Sequence, residues 1–211
     1  MVGFIEMEIA IIDYGLGNIF SVKSALTHLG HKVVVDTDGA VLTKSDICIL
    51  PGVAEFGSGI NNMKLSGQFD ALSDKYISGN PIIGLCLGAQ MFLNSSEEAP
   101  GVNGLGFVEG VSKAFIKDKK FLTFQGWSKV FFKENTLNQS LGRKDYYFSH
   151  SYYTYVEKEE FRMGESQHYG VEITSCFIKG NILGAQFHPE RSGRLGLDFL
   201  QYSIDWARNI G

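Results

Sequence analysis

The chain of 211 residues has little of what cross-links or punctuates proteins. Its three cysteines are an odd number without Cys-x-x-Cys spacing, which fits a reducing compartment better than a disulfide framework. The four prolines, Pro51, Pro81, Pro100 and Pro189, are scattered at apparent element edges, so no proline-rich linker divides the chain. Basic charge is not in surplus: 19 Lys and Arg against 23 Asp and Glu give a net charge of −4. That balance cannot hold a phosphate backbone, so nucleic acid is not an expected partner. No apolar run approaches the ~18 residues of a membrane span. The stretch from Met1 to Glu8 carries acids and no base, unlike a secretory leader. No His, Cys and Asp cluster has metal-ligand spacing, and Gly15-Leu16-Gly17 is followed by Phe20 where a dinucleotide fingerprint needs glycine. The expectation is a cytoplasmic protein of one domain over residues 1–211, with no metal, no cofactor and no membrane contact. Its 44% hydrophobic and 20% charged residues suit a soluble globular chain.

What is present changes character along the chain. In the first half, short apolar runs alternate with helical patterns. Ile9 to Ile12, Val33 to Val35, Ile47 to Leu50 and Ile82 to Leu85 read as buried strands. Gly15 to Asn18 reads as a turn with Asn18 as a helix cap. Val22, Ala25, Leu26 and Leu29 then mark a helix stopped by Gly30. A second helix is expected over Gly59 to Ser78, and a third from Ala89 to Leu93. From about Gly106 the segments are short and aromatic: Phe107-Val108, Val130 to Phe132, Tyr146 to Phe148, Tyr152 to Val156 and Ile173 to Ile178. Short loops between them suggest antiparallel hairpins. A strand from Ile182 to Phe187 precedes a final helix marked by Leu195, Phe199, Tyr202 and Trp206. The predicted fold class is α/β: an open, mostly parallel sheet with helices on both faces and an antiparallel flank.

The chemistry concentrates at two places. Gly84-Leu85-Cys86-Leu87-Gly88 is the thiol form of the G-x-S-x-G nucleophile elbow, with an apolar strand before it and a helical stretch after it. Such a turn strains the nucleophile's backbone, needs glycines where Cβ atoms would collide, and sets the thiol at a helix N-terminus that favours thiolate. The Leu87 N–H is then the expected oxyanion donor. A thiolate needs a base and the base an orienting group. His188 ends a strand, and Glu190, two residues on, projects to the same side and can fix its tautomer. His28 and His31 flank a helix end, and His168 is assigned to a polar loop. Cys48 and Cys176 read as core thiols. Pro51-Gly52-Val53-Ala54, directly after a strand, can bring backbone N–H groups to a ligand.

Together the elbow, extended through Ala89-Gln90, and the late His188-Pro189-Glu190 resemble the class I, or triad, glutamine amidotransferases. Further segments are similar to the glutaminase subunits of imidazole glycerol phosphate synthases. They include Asp13 to Asn18, Pro51-Gly52-Val53, Ser95 to Glu98, Gly104 to Gly106, Gly126-Trp127, Phe148 to Tyr152 and Gln186 to Gly193. The resemblance spans nearly the whole chain. It implies a Cys86–His188–Glu190 triad that hydrolyses L-glutamine, with an oxyanion hole from Leu87 and a backbone N–H of Gly52, Val53 or Ala54. Gln90 and Glu98 would bind the amino-acid end of glutamine, and the Ser149-His150-Ser151 backbone would line the pocket's other side. It also implies a heterodimeric partner, a (β/α)8 barrel synthase subunit that uses the ammonia in histidine biosynthesis, and stimulation that reorients an oxyanion donor.

Two segments depart from the family pattern. Thr123-Phe124-Gln125-Gly126-Trp127-Ser128 stands where Pro-His-x-Gly-Trp-Asn is common, a segment expected near the partner surface or pocket wall. Ala54 replaces the usual glycine of Pro-Gly-Val-Gly and disfavours positive φ. They keep open a paralogue that feeds ammonia to a sugar-amidating synthase of surface-polysaccharide biosynthesis, and beside it a stand-alone γ-glutamyl hydrolase.

Overall fold

The short apolar runs form strands because both faces of each find cover. In the computed structural model, which describes residues 7–117, 119–133 and 143–210, the first half supplies β1 (Ile9–Ile12), β2 (Val33–Asp36), β3 (Ile47–Leu50) and β4 (Ile82–Leu85). Between and after them lie α1 (Ile19–His28), α2 (Phe56–Leu65), α3 (Gln68–Ile77) and α4 (Leu87–Met91). Ile9, Ile11, Ile47, Ile49, Ile83 and Leu85 pack on one face against α1 residues Val22 and Leu26. Ala10, Ile12, Cys48, Leu50 and Ile82 pack on the other against Phe56, Ile60 and Met63 of α2. Each fully buried Ile or Leu contributes roughly 1.5–3 kcal/mol, so this two-sided burial holds the layers together.

The second half is built from β5 (Ser95–Ser96), β6 (Gly110–Ala114), β7 (Ile116–Lys117), β8 (Lys120–Phe121), β9 (Phe124–Phe132), β10 (Arg143–His150) and β11 (Tyr152–Val156). It continues through β12 (Arg162–His168), β13 (Val171–Lys179) and β14 (Ile182–Ala185) to the closing helix α5 (Gly193–Arg208). A nine-stranded sheet has the order β10-β9-β12-β13-β14-β4-β3-β1-β2. The five strands from β14 to β2 are parallel, and the four on the other side form the antiparallel flank. A smaller sheet, β11-β6-β5, lies beside it. The register pairs Leu85 with Ala185 and Leu50 with Gly84, so β3, β4 and β14 end level with one another.

The structure differs from the expected elements at several points. The expected helix from Gly59 to Ser78 is two helices, broken at Gly67, whose φ of 77° starts α3 anew. The break places Gln68 where its amide donates to the carbonyls of Asp13 and Asp36. The third helix begins earlier and ends sooner than expected, over Leu87–Met91, while β14 stops at Ala185. Phe107-Val108 is a buried bend rather than a strand. Asn18 occupies the N-cap of α1 without a side-chain capping bond. His168 is not in a loop but ends β12, fully buried. Gly30 does stop α1, with Gly30 N–H donating to Thr27 O and His31 N–H to Leu26 O.

Candidate active site

Cys86 begins where β4 ends. Its backbone has φ 53° and ψ −107°, a conformation that costs an L-residue energy and persists only where its surroundings enforce it. The enforcement is visible on both sides. Cys86 N–H donates to Ala185 O at 2.7 Å, and its carbonyl accepts from Gln90 N–H at 3.2 Å. A Cβ on Gly88 would collide with the Leu50 carbonyl, and one on Gly84 would lie 2.8 Å from Ala89 N. Only glycine lets β3, the elbow and α4 approach so closely.

The strand beside β4 leads to His188, the expected base. Beyond Ala185 the chain runs through Gln186 and Phe187 to His188, whose N–H donates to the Tyr147 carbonyl at 2.8 Å and whose carbonyl accepts from Ser192 Oγ. Pro189–Arg191 turns in a single 3-10 helix and brings Glu190 Oε1 to 2.9 Å from His188 Nδ1. Both side chains are buried, at 3% and 2% exposure. Burial by itself would push the His188 imidazole toward its neutral form. The charge of the Cys86 sulfur, its hydrogen bond to the ring, and the hydrogen bond and charge of Glu190 outweigh burial and hold the pKa up to about 10. The second carboxylate oxygen of Glu190 is buried without a hydrogen-bond partner among the described residues.

A cavity of about 320 Å³ opens over Cys86. Leu87, Gln90, Val53 and Ala54 line it together with Ser149, His150 and Ser151, so the structure gathers every sequence-predicted site residue except the more deeply set Gly52, His188 and Glu190 around it. Glu98 closes one end beside Glu55. Glu98 Oε2 accepts from Phe56 N–H at 2.9 Å. Burial and the nearby Glu55 charge raise its pKa despite that bond. Gln90 Nε2 donates to the Tyr152 carbonyl at 2.6 Å. His150 Nδ1 is 3.0 Å from the same carbonyl, and burial holds its pKa down to about 3. A neutral, buried imidazole fits a structural post and not a base.

The N–H groups expected to serve as oxyanion donors are engaged elsewhere. Leu87 N–H donates to the Gly52 carbonyl at 3.4 Å, and Val53 N–H to the Leu16 carbonyl at 3.4 Å. One peptide, Gly52–Val53, is thus tied at both ends. Ala54 does not have positive φ, so the replacement of glycine is compatible with this arrangement. Of the Thr123 to Ser128 segment, Thr123 reaches the cavity wall, while Trp127 is 57% exposed on β9. Sequence reasoning did not single out Gln186. Its Oε1 accepts from Thr154 N–H at 2.9 Å and from Gln90 Nε2 at 3.3 Å, which leaves Nε2 facing the Cys86 sulfur at 3.7 Å. Its place two residues before His188, on the strand expected to run to Phe187, was the available signal.

The family model for class-I glutamine amidotransferases matches residues 10–201. The chain is a class-I glutamine amidotransferase. It is 38% identical over 205 residues to the imidazole glycerol phosphate synthase subunit HisH of Moorella thermoacetica, covering 96% of this chain and 97% of that one. A HisH 2 subunit from Methanococcus maripaludis is 37% identical over 203 residues, covering 94% and 100%. A crystal structure of a glutamine amidotransferase superposes with a TM-score of 0.73 at 17% identity over 95% of this chain and 98% of that one. PurLQS from Thermotoga maritima gives 0.72 at 15% identity over 96% and 99%. These two likenesses show the fold. Among the described residues no group of three His, Cys, Asp or Glu side chains is placed to hold a metal.

Proposed function

We propose that the chain is the glutaminase subunit of an imidazole glycerol phosphate synthase, hydrolysing L-glutamine and passing ammonia to a (β/α)8 barrel subunit in histidine biosynthesis. The observation that carries the reading is the Cys86–His188–Glu190 constellation at the level ends of β4 and β14, with the imidazole charged between sulfur and carboxylate. Relatives named as HisH, similar over nearly the whole chain, support the synthase assignment. The Cys86 thiolate attacks the carboxamide carbon, and the carbonyl electrons move onto oxygen. As the tetrahedral centre collapses, the C–N bond breaks and His188 gives its proton to the departing nitrogen, releasing ammonia. His188 then takes a proton from water as the water oxygen attacks the thioester. The C–S bond breaks, and glutamate leaves with thiolate restored. Glu190 holds the ring throughout. The Glu98 carboxylate suits the substrate ammonium on charge grounds, while Gln90 and the Ser149-His150-Ser151 backbone hold the rest of the amino-acid end.

The oxyanion must be met by N–H donors. Turning the Gly52–Val53 peptide over releases Leu87 N–H and aims Val53 N–H into the cavity, so a closed peptide accounts for a slow isolated subunit that a docked, liganded partner accelerates. Free ammonia in neutral water becomes ammonium, which is no nucleophile, and a docked synthase keeps it from doing so. Three buried free thiols fit a cytoplasmic setting, and no helix among the described residues is long and apolar enough to cross a membrane. Glutamate production by the chain with its barrel partner tests the reading. Cys86→Ser is expected to lower it at least about 10³-fold, and unchanged production would refute the mechanism.

A further inference from the structure

Resting on the glutaminase reading, we infer that the Tyr14 hydroxyl is a positioning group that clamps the Pro51–Val53 segment with its oxyanion donors turned away. Tyr14 lies in the Gly15-Leu16-Gly17 turn after β1, a motif the hydrolytic mechanism leaves unused. Its side chain is buried, and its hydroxyl donates to the Pro51 carbonyl at 2.9 Å. The same hydroxyl fills the space over the Gly52 Cα. A Cβ there would collide with it and would lie 2.8 Å from Leu87 Cβ. Tyr14 and Leu87 therefore both crowd the Cβ face of Gly52, the first residue of the peptide that must turn over.

The clamp is itself anchored. Asn62 Nδ2 of α2 donates to the Tyr14 carbonyl at 3.0 Å, and Gly15 N–H donates to Asp13 Oδ1 at 2.9 Å. Gln68 Nε2 holds the Asp13 carbonyl. The phenol stays protonated, because burial first, then the charges of Cys86 and Asp13, push its pKa far above the ordinary value. It can therefore donate to Pro51 at any pH the enzyme meets. A donor that cannot be titrated away and has no room to swing makes the closed peptide the lower-energy state. Removing the oxygen while keeping the ring weakens that preference by one buried hydrogen bond and opens space beside Gly52.

The test is Tyr14→Phe in the full chain, read in two independent ways. Amide hydrogen exchange at Leu87 and Val53 is expected to speed up about three- to tenfold, the range one hydrogen bond supports. Glutamine hydrolysis by the subunit without its partner is expected to rise by a similar factor in kcat with KM nearly unchanged, and stimulation by the liganded partner to shrink accordingly. Asn62→Ala, which loosens the Tyr14 carbonyl instead, is expected to act in the same direction and serves if Tyr14→Phe folds poorly. Unchanged exchange at both amides, or faster exchange with lower kcat, would overturn the clamp. If neither protein hydrolyses glutamine under any condition, the glutaminase reading fails, and the exchange rates still decide whether Tyr14 holds the segment.

Discussion

His188 shows how opposing effects settle a single residue. Burial favours the neutral ring, but the sulfur on one side and Glu190 on the other prevail and hold the pKa up to about 10. A pKa raised in the folded protein adds stability that is whole below the unfolded value near 6.5 and is lost as pH rises through about 10. Glu190→Gln keeps the shape and removes the charge. It is expected to cut kcat/KM by about 10²–10⁴-fold and to move the alkaline limb of the pH profile downward; an unmoved limb would show that Glu190 does not steer the ring. His168 has the opposite sign. Burial lowers its pKa from 6.5 to about 4, both ring nitrogens lack partners among the described residues, and the ring stacks on Phe124 at 3.7 Å. The unfolded chain therefore binds a proton that the folded one refuses, so stability present above pH 6.5 falls as pH drops toward 4. Tm followed from pH 7 to pH 4.5 should show that fall in the wild type and a shallower one in His168→Phe, whereas equal slopes would contradict it.

Among elements, the elbow is the least tolerant. Gly88→Ala would drive a methyl group into the Leu50 carbonyl of the neighbouring strand, and it is expected to cost at least about 3 kcal/mol in urea unfolding; a loss below about 0.5 kcal/mol would mean that β3 and α4 are not so tightly joined. The strands β1, β3 and β4 were readable because their runs are apolar on both faces, and the elbow because its glycines have one steric purpose. The Gly67 break was less readable, since a helical apolar pattern resumes on its far side and the reason for the break, Gln68 reaching Asp13 and Asp36, is tertiary. In α5 the predicted stripe of Leu195, Phe199, Tyr202 and Trp206 lies beside the deepest one, in which Phe199, Leu200, Ser203, Ile204 and Ala207 are buried. His168 was misplaced because Gln167, Tyr169 and Gly170 around it look polar or turn-like, while the aromatic rings that enclose it come from β9, β10 and Phe115. The residues that gather around Cys86 were legible, but the engaged state of Leu87 N–H was not, since it depends on a peptide orientation that side chains do not encode.

At the scale of the whole molecule, three parallel strands end level, and each contributes one part of the site: Gly52 after β3, Cys86 after β4 and His188 after β14. A sheet edge of this kind holds groups from distant sequence in one place without relying on loops for precision. Under the proposed function, the partner's target is the Gly52–Val53 peptide, whose carbonyl and N–H are both engaged in the isolated chain. Mixing the chain with the barrel synthase subunit is expected to give a stable heterodimer in sedimentation and, once the synthase ligand is added, at least about a tenfold rise in glutamine hydrolysis, or about 1.4 kcal/mol off the activation barrier. Association without any rise would break the link between docking and the peptide. The central claim, that Cys86 is the nucleophile for a glutamine carboxamide, is tested most directly by intact-mass analysis and peptide mapping after a chloroketone analogue of glutamine reacts with the liganded heterodimer. A single adduct on Cys86, slowed by excess glutamine and absent in Cys86→Ser, is the predicted result. An adduct confined to Cys48 or Cys176, or one that glutamine does not slow, would contradict it.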